Sequence, residues 1–230
     1  MKRKKHKINI SVIIPIGKDD KKKEQETVHM LKNQSHEPFE IITVYEGNIA
    51  HARNLGVQKA KCEYILQCDC GTIYPSDYVE KMCEGFKHSG FVTGSWHLYG
   101  NKYHNFYVRN NTGSTRCIGY TRKLFNEVGG YQESLNQGED TEFNIAAERI
   151  VGKPYLTDAI CFWKARENNK KLARQFFLYG KGDKKAGNVR KFVYFLPLIA
   201  IGEWLIHSCK LLKVIWTYRI NYWNGVLFSK

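Results

Sequence analysis

Three short apolar runs, separated by stretches with helical patterning, constrain the fold of this 230-residue chain more than any other feature. Residues 8–16, 39–44 and 64–68 are rich in β-branched residues and stop at turn residues, which predicts three buried strands. Residues 20–34 and 49–60, which lie between them, have the apolar spacing of surface helices. This alternation, over roughly the first 90 residues, predicts a parallel, doubly wound α/β sheet.

Polar residues follow the ends of these strands. Residues 17–19 follow the first strand, Glu46 follows the second and Asp69 follows the third. Sheets of this kind bind ligands beyond the carboxyl ends of their strands, so these residues are candidates for a binding site. The alternative is that they are ordinary turn residues. In the second half, the pattern predicts helices over 76–89 and 140–150 and strands over 91–96 and 116–120.

The charge of the chain is concentrated at its two ends. The net charge is +14, of which residues 1–23 contribute +7 and residues 164–230 contribute +11, so the middle of the chain carries −4. This distribution suits an anionic lipid, a phosphorylated lipid or a nucleotide diphosphate better than a nucleic acid. No motif typical of RNA or DNA binding is present, although salt-sensitive nucleic-acid binding remains an alternative.

The apolar fraction of 43% is that of a globular protein. Seven cysteines, an odd number, predict reduced thiols in a cytosolic protein.

Four segments, taken in order, resemble the inverting family 2 glycosyltransferases. They are residues 11–15 (SVIIP), 40–48 (EIITVYEGN), 52–69 (ARNLG running on to EYILQCD) and 124–140 (LFNEVGGYQESLNQGED). The resemblance covers residues 10–187. It implies an α/β GT-A fold, with a Rossmann-like, mostly parallel sheet flanked by helices, that transfers a sugar from a nucleoside diphosphate with inversion.

The resemblance also implies roles for particular residues. Asp140 would be the catalytic base, with Glu139 beside it in the family's acidic pair. From the residues alone, both could simply favour the start of a helix. The nucleotide sugar would be bound by residues at the strand ends and by nearby cations, namely Pro15, Gly17, Glu46, Arg53, Asp69, Arg166 and Arg174.

The metal motif of the family is altered here. Its aspartate-x-aspartate would fall at Asp69-Cys70-Gly71, where glycine replaces the second aspartate. Asp69 alone would hold Mg²⁺ or Mn²⁺ weakly, with substrate phosphates supplying other ligands. Alternatively, a basic cluster that includes Arg166 and Arg174 would offset the diphosphate charge without a metal. Cys70 and its neighbour Cys68 do not have zinc-site spacing and are interpreted as structural.

The C-terminal part of the chain differs from the rest in composition. Residues 192–208 form its longest apolar stretch, short for a membrane span and interrupted by Glu203. We therefore expect a glycosyltransferase domain over 1–187 and a basic, aromatic helical tail over 188–230 that lies on an anionic membrane surface. A tail packed on a soluble cytoplasmic domain is the alternative.

The overall prediction is an inverting glycosyltransferase at the cytoplasmic face of the membrane. Its donor would be a nucleoside-diphosphate sugar, with a UDP-sugar favoured, and its acceptor a lipid-linked or surface glycan. Because Gly71 interrupts the metal motif, a catalytically inactive relative that retains a binding role is the main alternative.

Overall fold

A computed structural model describes residues 8–17, 20–99, 114–135 and 138–164. In the C-terminal region it also describes residues 174, 177–178, 181, 184–185 and 221–227. Most of the predicted tail, including the apolar stretch 192–208, lies outside these residues. The proposed domain boundary at residue 187 therefore stays a prediction.

The first half of the chain forms the predicted parallel sheet. Its elements are β1 (Ile10–Pro15), α1 (Lys21–Lys32), β2 (Glu40–Val44), α2 (Ile49–Lys59) and β3 (Tyr64–Gln67). Strand β1 pairs in parallel with both neighbours, so that Ile13 lies beside Ile42 on one side and Gln67 on the other. The carboxyl ends of all three strands therefore lie at one edge of the sheet, as the sequence predicts.

The second half converts the sheet to a mixed one. Its elements are β4 (Thr72–Ile73), α3 (Tyr78–Gly85), β5 (Phe91–Tyr99), β6 (Ile118–Thr121), α4 (Arg122–Val128), α5 (Glu139–Val151) and β7 (Tyr155–Lys164). The strand order is β2-β1-β3-β6-β5-β7-β4. Strand β6 runs antiparallel to β3 and β5, β7 is parallel to β5, and β4 is antiparallel to β7.

The predicted α/β fold with a Rossmann-like sheet is confirmed. The pairings among β1–β3 and between β5 and β7 are parallel, whereas the pairings made by β6 and β4 are antiparallel and make the sheet mixed. Apolar patterning carries no information about strand direction, and the two-residue β4 is too short to produce a pattern. The boundaries of α1, α2, α3 and α5 differ by a few residues at most from those predicted. Helix α4 and strands β4 and β7 were not predicted.

Apolar residues cover both faces of the sheet. On β1, Val12 and Ile14 point to one side and pack with residues of α1 and α3. Ile13 points to the other side and packs with residues of α2, α4 and α5. Helix α2 lies very close to β1, since a Cβ on Gly56 would fall 2.4 Å from Cγ2 of Ile13. The result is a three-layer arrangement that fixes the strand ends on a rigid base.

The six described cysteines are free thiols, in agreement with the prediction of reduced cysteines. Within the described ranges, no helix combines the length and the apolar character required to cross a bilayer.

Candidate functional site

A pocket of about 500 Å³ lies at the edge of the sheet where β1, β2 and β3 end. It is bordered by the residues after these strands, by Arg116 two residues before β6, and by the end of β7. Its walls contain Pro15, Ile16, Gly17, Asp20, Lys23, Glu46, Gly47, Asn48, Ile49, Ala52, Asp69, Cys70, Gly71, Arg116, Trp163 and Lys164. Four of the residues predicted from the sequence therefore line one cavity: Pro15, Gly17, Glu46 and Asp69.

The β2 side of the pocket is open to solvent. The side chain of Glu46 is 57% exposed and lies 3.7 Å from Nζ of Lys59. Its Oε2 also accepts a hydrogen bond of 3.2 Å from the backbone N–H of Tyr45. Backbone hydrogen bonds, followed by the charge of Lys59, lower the pKa of Glu46 below its ordinary value. Asn48 then caps α2 by accepting a hydrogen bond from the N–H of His51, which fixes the turn.

Asp69 lies near the centre of the edge and is far less exposed. Its backbone N–H donates to the hydroxyl of Tyr74 at 2.9 Å. Its Oδ1 accepts a 3.1 Å hydrogen bond from Nη2 of Arg53, and its Oδ2 lies 3.6 Å from Nε of Arg116. Both carboxylate oxygens of Asp69 therefore face guanidinium groups.

Arg116 is a pocket residue that sequence reasoning missed. Its guanidinium carbon lies 5.2 Å from the ring centroid of Trp96 and 4.7 Å from that of Trp163. Its Nη1 donates to Oγ of Ser114 at 3.0 Å. The antiparallel register pairs Gln67 with Ile118, so continuing it by two residues places Arg116 opposite Asp69. The direction of β6 was the information needed to find it.

Arg53 lies at the centre of a network of charged and polar side chains beneath the pocket. Its side chain is 1% exposed and reaches Oγ1 of Thr115 at 2.7 Å as well as Asp69. It also donates to Oε1 of Glu139, and its guanidinium lies 5.5 Å from the ring centroid of Tyr131. Burial opposes the charge of Arg53, but Asp69 and Glu139 more than compensate and raise its pKa. Arg53 is therefore an interior residue, not a surface cation, and direct contact with a nucleotide stays a prediction.

The acidic pair begins α5, as the sequence predicts. Glu139 is 5% exposed, and burial raises the pKa of its carboxyl while Arg53 opposes this shift. Asp140 is half-buried, and its Oδ1 accepts a 2.9 Å hydrogen bond from the N–H of Thr141. Neither residue belongs to the pocket walls. Through Glu139 and Arg53, however, the start of α5 is connected to Asp69 in the pocket.

The two remaining cations predicted from the sequence, Arg166 and Arg174, are not among the described residues that line the pocket. Arg174 is an exposed helical residue and is not part of the pocket walls. Arg166 lies outside the described residues. Lys23, Arg116 and Lys164 instead supply the cationic groups that line the cavity. Lys23 also pairs with Asp20, with 2.5 Å between Nζ and Oδ1.

The sequence profile described as "Glycosyl transferase family 2" matches residues 19–151, which is more than half of the chain. The chain belongs to this family. The matched segment contains β2, β3 and α5, and thus most of the site described above. No curated protein matches the sequence.

Two of the solved structures that this chain is similar to share its GT-A-like fold. The chain is similar to the mannosyltransferase PcManGT from Pyrobaculum calidifontis, solved with GDP-Man and Mn²⁺, at a TM-score of 0.71 and 12% identity. That match covers 98% of this chain and 89% of the other. It is also similar to residues 1–349 of S. aureus TarS in complex with UDP-GlcNAc, at a TM-score of 0.54 and 13% identity, covering 95% and 72%. At these identities the likeness concerns the fold alone.

The metal site implied for a family 2 member does not fit the described residues. Among them, no group of three or more histidine, cysteine or acidic side chains could hold a metal ion. Asp69 has arginines on both oxygens, and Cys70 is too soft a ligand for Mg²⁺. Gly71, which replaces the second motif aspartate, has a φ of +79°, and a Cβ there would lie 2.9 Å from Cδ of Lys23. The expectation that Asp69 is a metal ligand therefore lacks support from its surroundings.

Proposed function

We propose that this family 2 member transfers a sugar from a nucleoside diphosphate to a hydroxyl group, with inversion at the anomeric carbon. The observation that supports it is the pocket at the carboxyl edge of the sheet, which combines an exposed carboxylate at Glu46 with a wall of cations that includes Arg116. The carboxylate suits the hydroxyl and N–H groups of a nucleoside, and the cations suit a diphosphate.

The transfer requires one proton acceptor and a leaving group. Asp140 takes the proton of the acceptor hydroxyl, and the freed oxygen attacks the anomeric carbon from the face opposite the diphosphate. A carbon–oxygen bond to the acceptor forms, while the bond to the diphosphate breaks and its electron pair leaves with the nucleoside diphosphate. Asp140 is suited to this role because it is half-buried and follows Glu139, whose own carboxylate is held by Arg53.

The acceptor and the location are part of the same proposal. A lipid-linked or surface glycan at the cytoplasmic face of the membrane would suit the net charge of +11 in residues 164–230 and the apolar stretch 192–208. Co-sedimentation of the full chain with vesicles of anionic lipid, compared with neutral vesicles, tests this part. Equal pelleting with both kinds of vesicle would contradict it.

The proposed activity is tested with UDP-, GDP- and dTDP-sugars. One of them should raise the unfolding temperature of the protein and be consumed when a glycan acceptor is added. Asp140→Asn preserves shape but cannot accept the proton, so transfer should fall by about 100-fold or more while donor binding persists. Asp158→Asn, on the exposed face of β7, is the matched control and should retain full transfer.

A binding protein without catalytic activity is the second candidate, because Gly71 interrupts the metal motif. It would bind one of these nucleotide sugars, transfer no sugar to any acceptor tested, and show no change on Asp140→Asn. Transfer by the wild type that is lost in Asp140→Asn would exclude this candidate.

A further inference from the structure

The charged residues of the pocket are arranged in the order of the strands. Glu46 follows β2, Asp69 follows the central β3, Arg116 precedes β6 and Lys164 ends β7. A ligand that lies along this edge therefore meets a carboxylate at one end and two cations at the other. A nucleoside diphosphate has the matching polarity, with an uncharged nucleoside and a strongly anionic diphosphate.

Arg116 is held in place before any ligand arrives. Its guanidinium lies between the indoles of Trp96 and Trp163, and Ser114 and Asp69 contact two of its nitrogens. A planar guanidinium can form two parallel hydrogen bonds to phosphate oxygens. Because the side chain is already ordered, little further conformational entropy is lost when it binds an anion.

Asp69 is occupied in supporting these arginines. Its Oδ1 is bound to Arg53, which is fixed in turn by Glu139 and Thr115, and its Oδ2 faces Arg116. A cation bound by Asp69 would have to approach between two guanidinium groups, which repel it. The backbone at Gly71 leads directly into β4, which pairs with β7 at Trp163 and brings that indole beside Arg116.

We propose that Arg116, together with Lys23 and Lys164, binds the donor diphosphate directly, in the place where family relatives with an intact motif would use a divalent cation. This inference rests on the proposed function, since it assigns the diphosphate subsite of the same pocket. Asp69 is then a positioning residue for Arg116 rather than a metal ligand.

The test measures binding of UDP, GDP and dTDP by calorimetry, in excess EDTA and in Mn²⁺. For the wild type, the Kd of the bound nucleotide should differ by less than about threefold between the two conditions. Arg116→Gln should weaken binding by about 10- to 100-fold in both, the loss of a charge-assisted hydrogen-bond pair. Arg149→Gln, on an exposed turn of α5, is the matched control and should bind as the wild type does.

Each failure has its own meaning. Binding that requires Mn²⁺ and disappears in EDTA would overturn the inference while leaving the proposed function intact, as would an Arg116→Gln protein that binds like the wild type. Absence of UDP, GDP and dTDP binding in both conditions would overturn the proposed function and the inference together. Because Arg116 also packs between two indoles, thermal unfolding of each variant is measured first. If Arg116→Gln does not fold, the wild-type comparison and Lys164→Gln, which should weaken binding several-fold, decide the matter.

Discussion

The charged side chains at the two ends of the pocket differ in how deeply they are buried and in how many partners they have. At the inner end, formed by Asp69, Arg116 and the underlying Arg53, side chains are at most 19% exposed and each contacts at least two others. At the outer end, Glu46 of the pocket wall pairs with Lys59 outside it; their side chains are 57% and 48% exposed, and 3.7 Å separates Nζ of Lys59 from Oε1 of Glu46. Buried charges depend on their partners for stability, whereas exposed pairs contribute little. Substitutions at the inner end should therefore affect both folding and binding, and those at the outer end binding alone.

Loss of Arg53 should have the largest effect. Arg53→Met fits the same space but leaves Glu139 and Asp69 without their buried cation, so the free energy of unfolding should fall by about 3–5 kcal/mol. Urea denaturation measures this change. Adding Glu139→Gln to Arg53→Met should restore part of the loss, because one uncompensated buried carboxylate is then removed. A loss below 1 kcal/mol for the single variant would contradict the difference between the two ends.

Alanine substitutions at Gly71 and Gly129 distinguish the effect of backbone strain on stability from the effect of a displaced pocket side chain on nucleotide binding. Gly71 and Gly129 have φ values of +79° and +86°, but a Cβ would meet Lys23 at Gly71 and nothing within 4 Å at Gly129. Changing either to alanine should cost about 1–2 kcal/mol of stability through the left-handed backbone. Only Gly71→Ala should also weaken nucleotide binding several-fold, because it displaces Lys23 from the pocket wall. Equal binding by the two variants would show that Lys23 does not contact the ligand.

The pH dependence of the free energy of unfolding should show that the pKa of Glu139 is raised in the folded protein. Burial raises its pKa in the folded protein, so above its ordinary value of 4.5 the folded state retains a proton that the unfolded state has lost. Stability contributed by this group is thus present at low pH and decreases as the pH rises through the folded pKa, by at most about 1.4 kcal/mol per pH unit. Glu139→Gln should remove this decrease when urea denaturation is compared from pH 4.5 to 7. The opposite slope would mean that Arg53 lowers the pKa instead.

Changes at the outer end should have the smallest effect. Glu46→Gln should leave the free energy of unfolding almost unchanged, since its carboxylate is solvated. Binding of UDP or GDP should nevertheless weaken about threefold to tenfold if the carboxylate accepts a hydrogen bond from the nucleoside. Lys59→Gln breaks the same ion pair from the other side and should leave binding unchanged. Similar weakening by both variants would assign the effect to the ion pair.

The sequence predicted one part of this architecture better than the other. Strands β1–β3 are consecutive and parallel, so their apolar patterns were sufficient to bring Pro15, Glu46 and Asp69 to one edge. The burial of Arg53 was not predicted, because a helical residue next to Ala52 and a polar Asn54 gives no local indication of burial; its partner Glu139 is 86 residues away. Arg116 was missed because its position depends on the antiparallel direction of β6, which patterning does not specify.

The indoles beside Arg116 allow ligand binding in the pocket to be followed by tryptophan emission. Among the described tryptophans, Trp96 and Trp163 flank this guanidinium. Indole emission depends on nearby charge and on exposure to water. An anion that binds to Arg116 therefore changes the surroundings of both rings at once. The protein therefore has a built-in spectroscopic reporter at the place where the sugar donor's charge would be received, and it requires no added label.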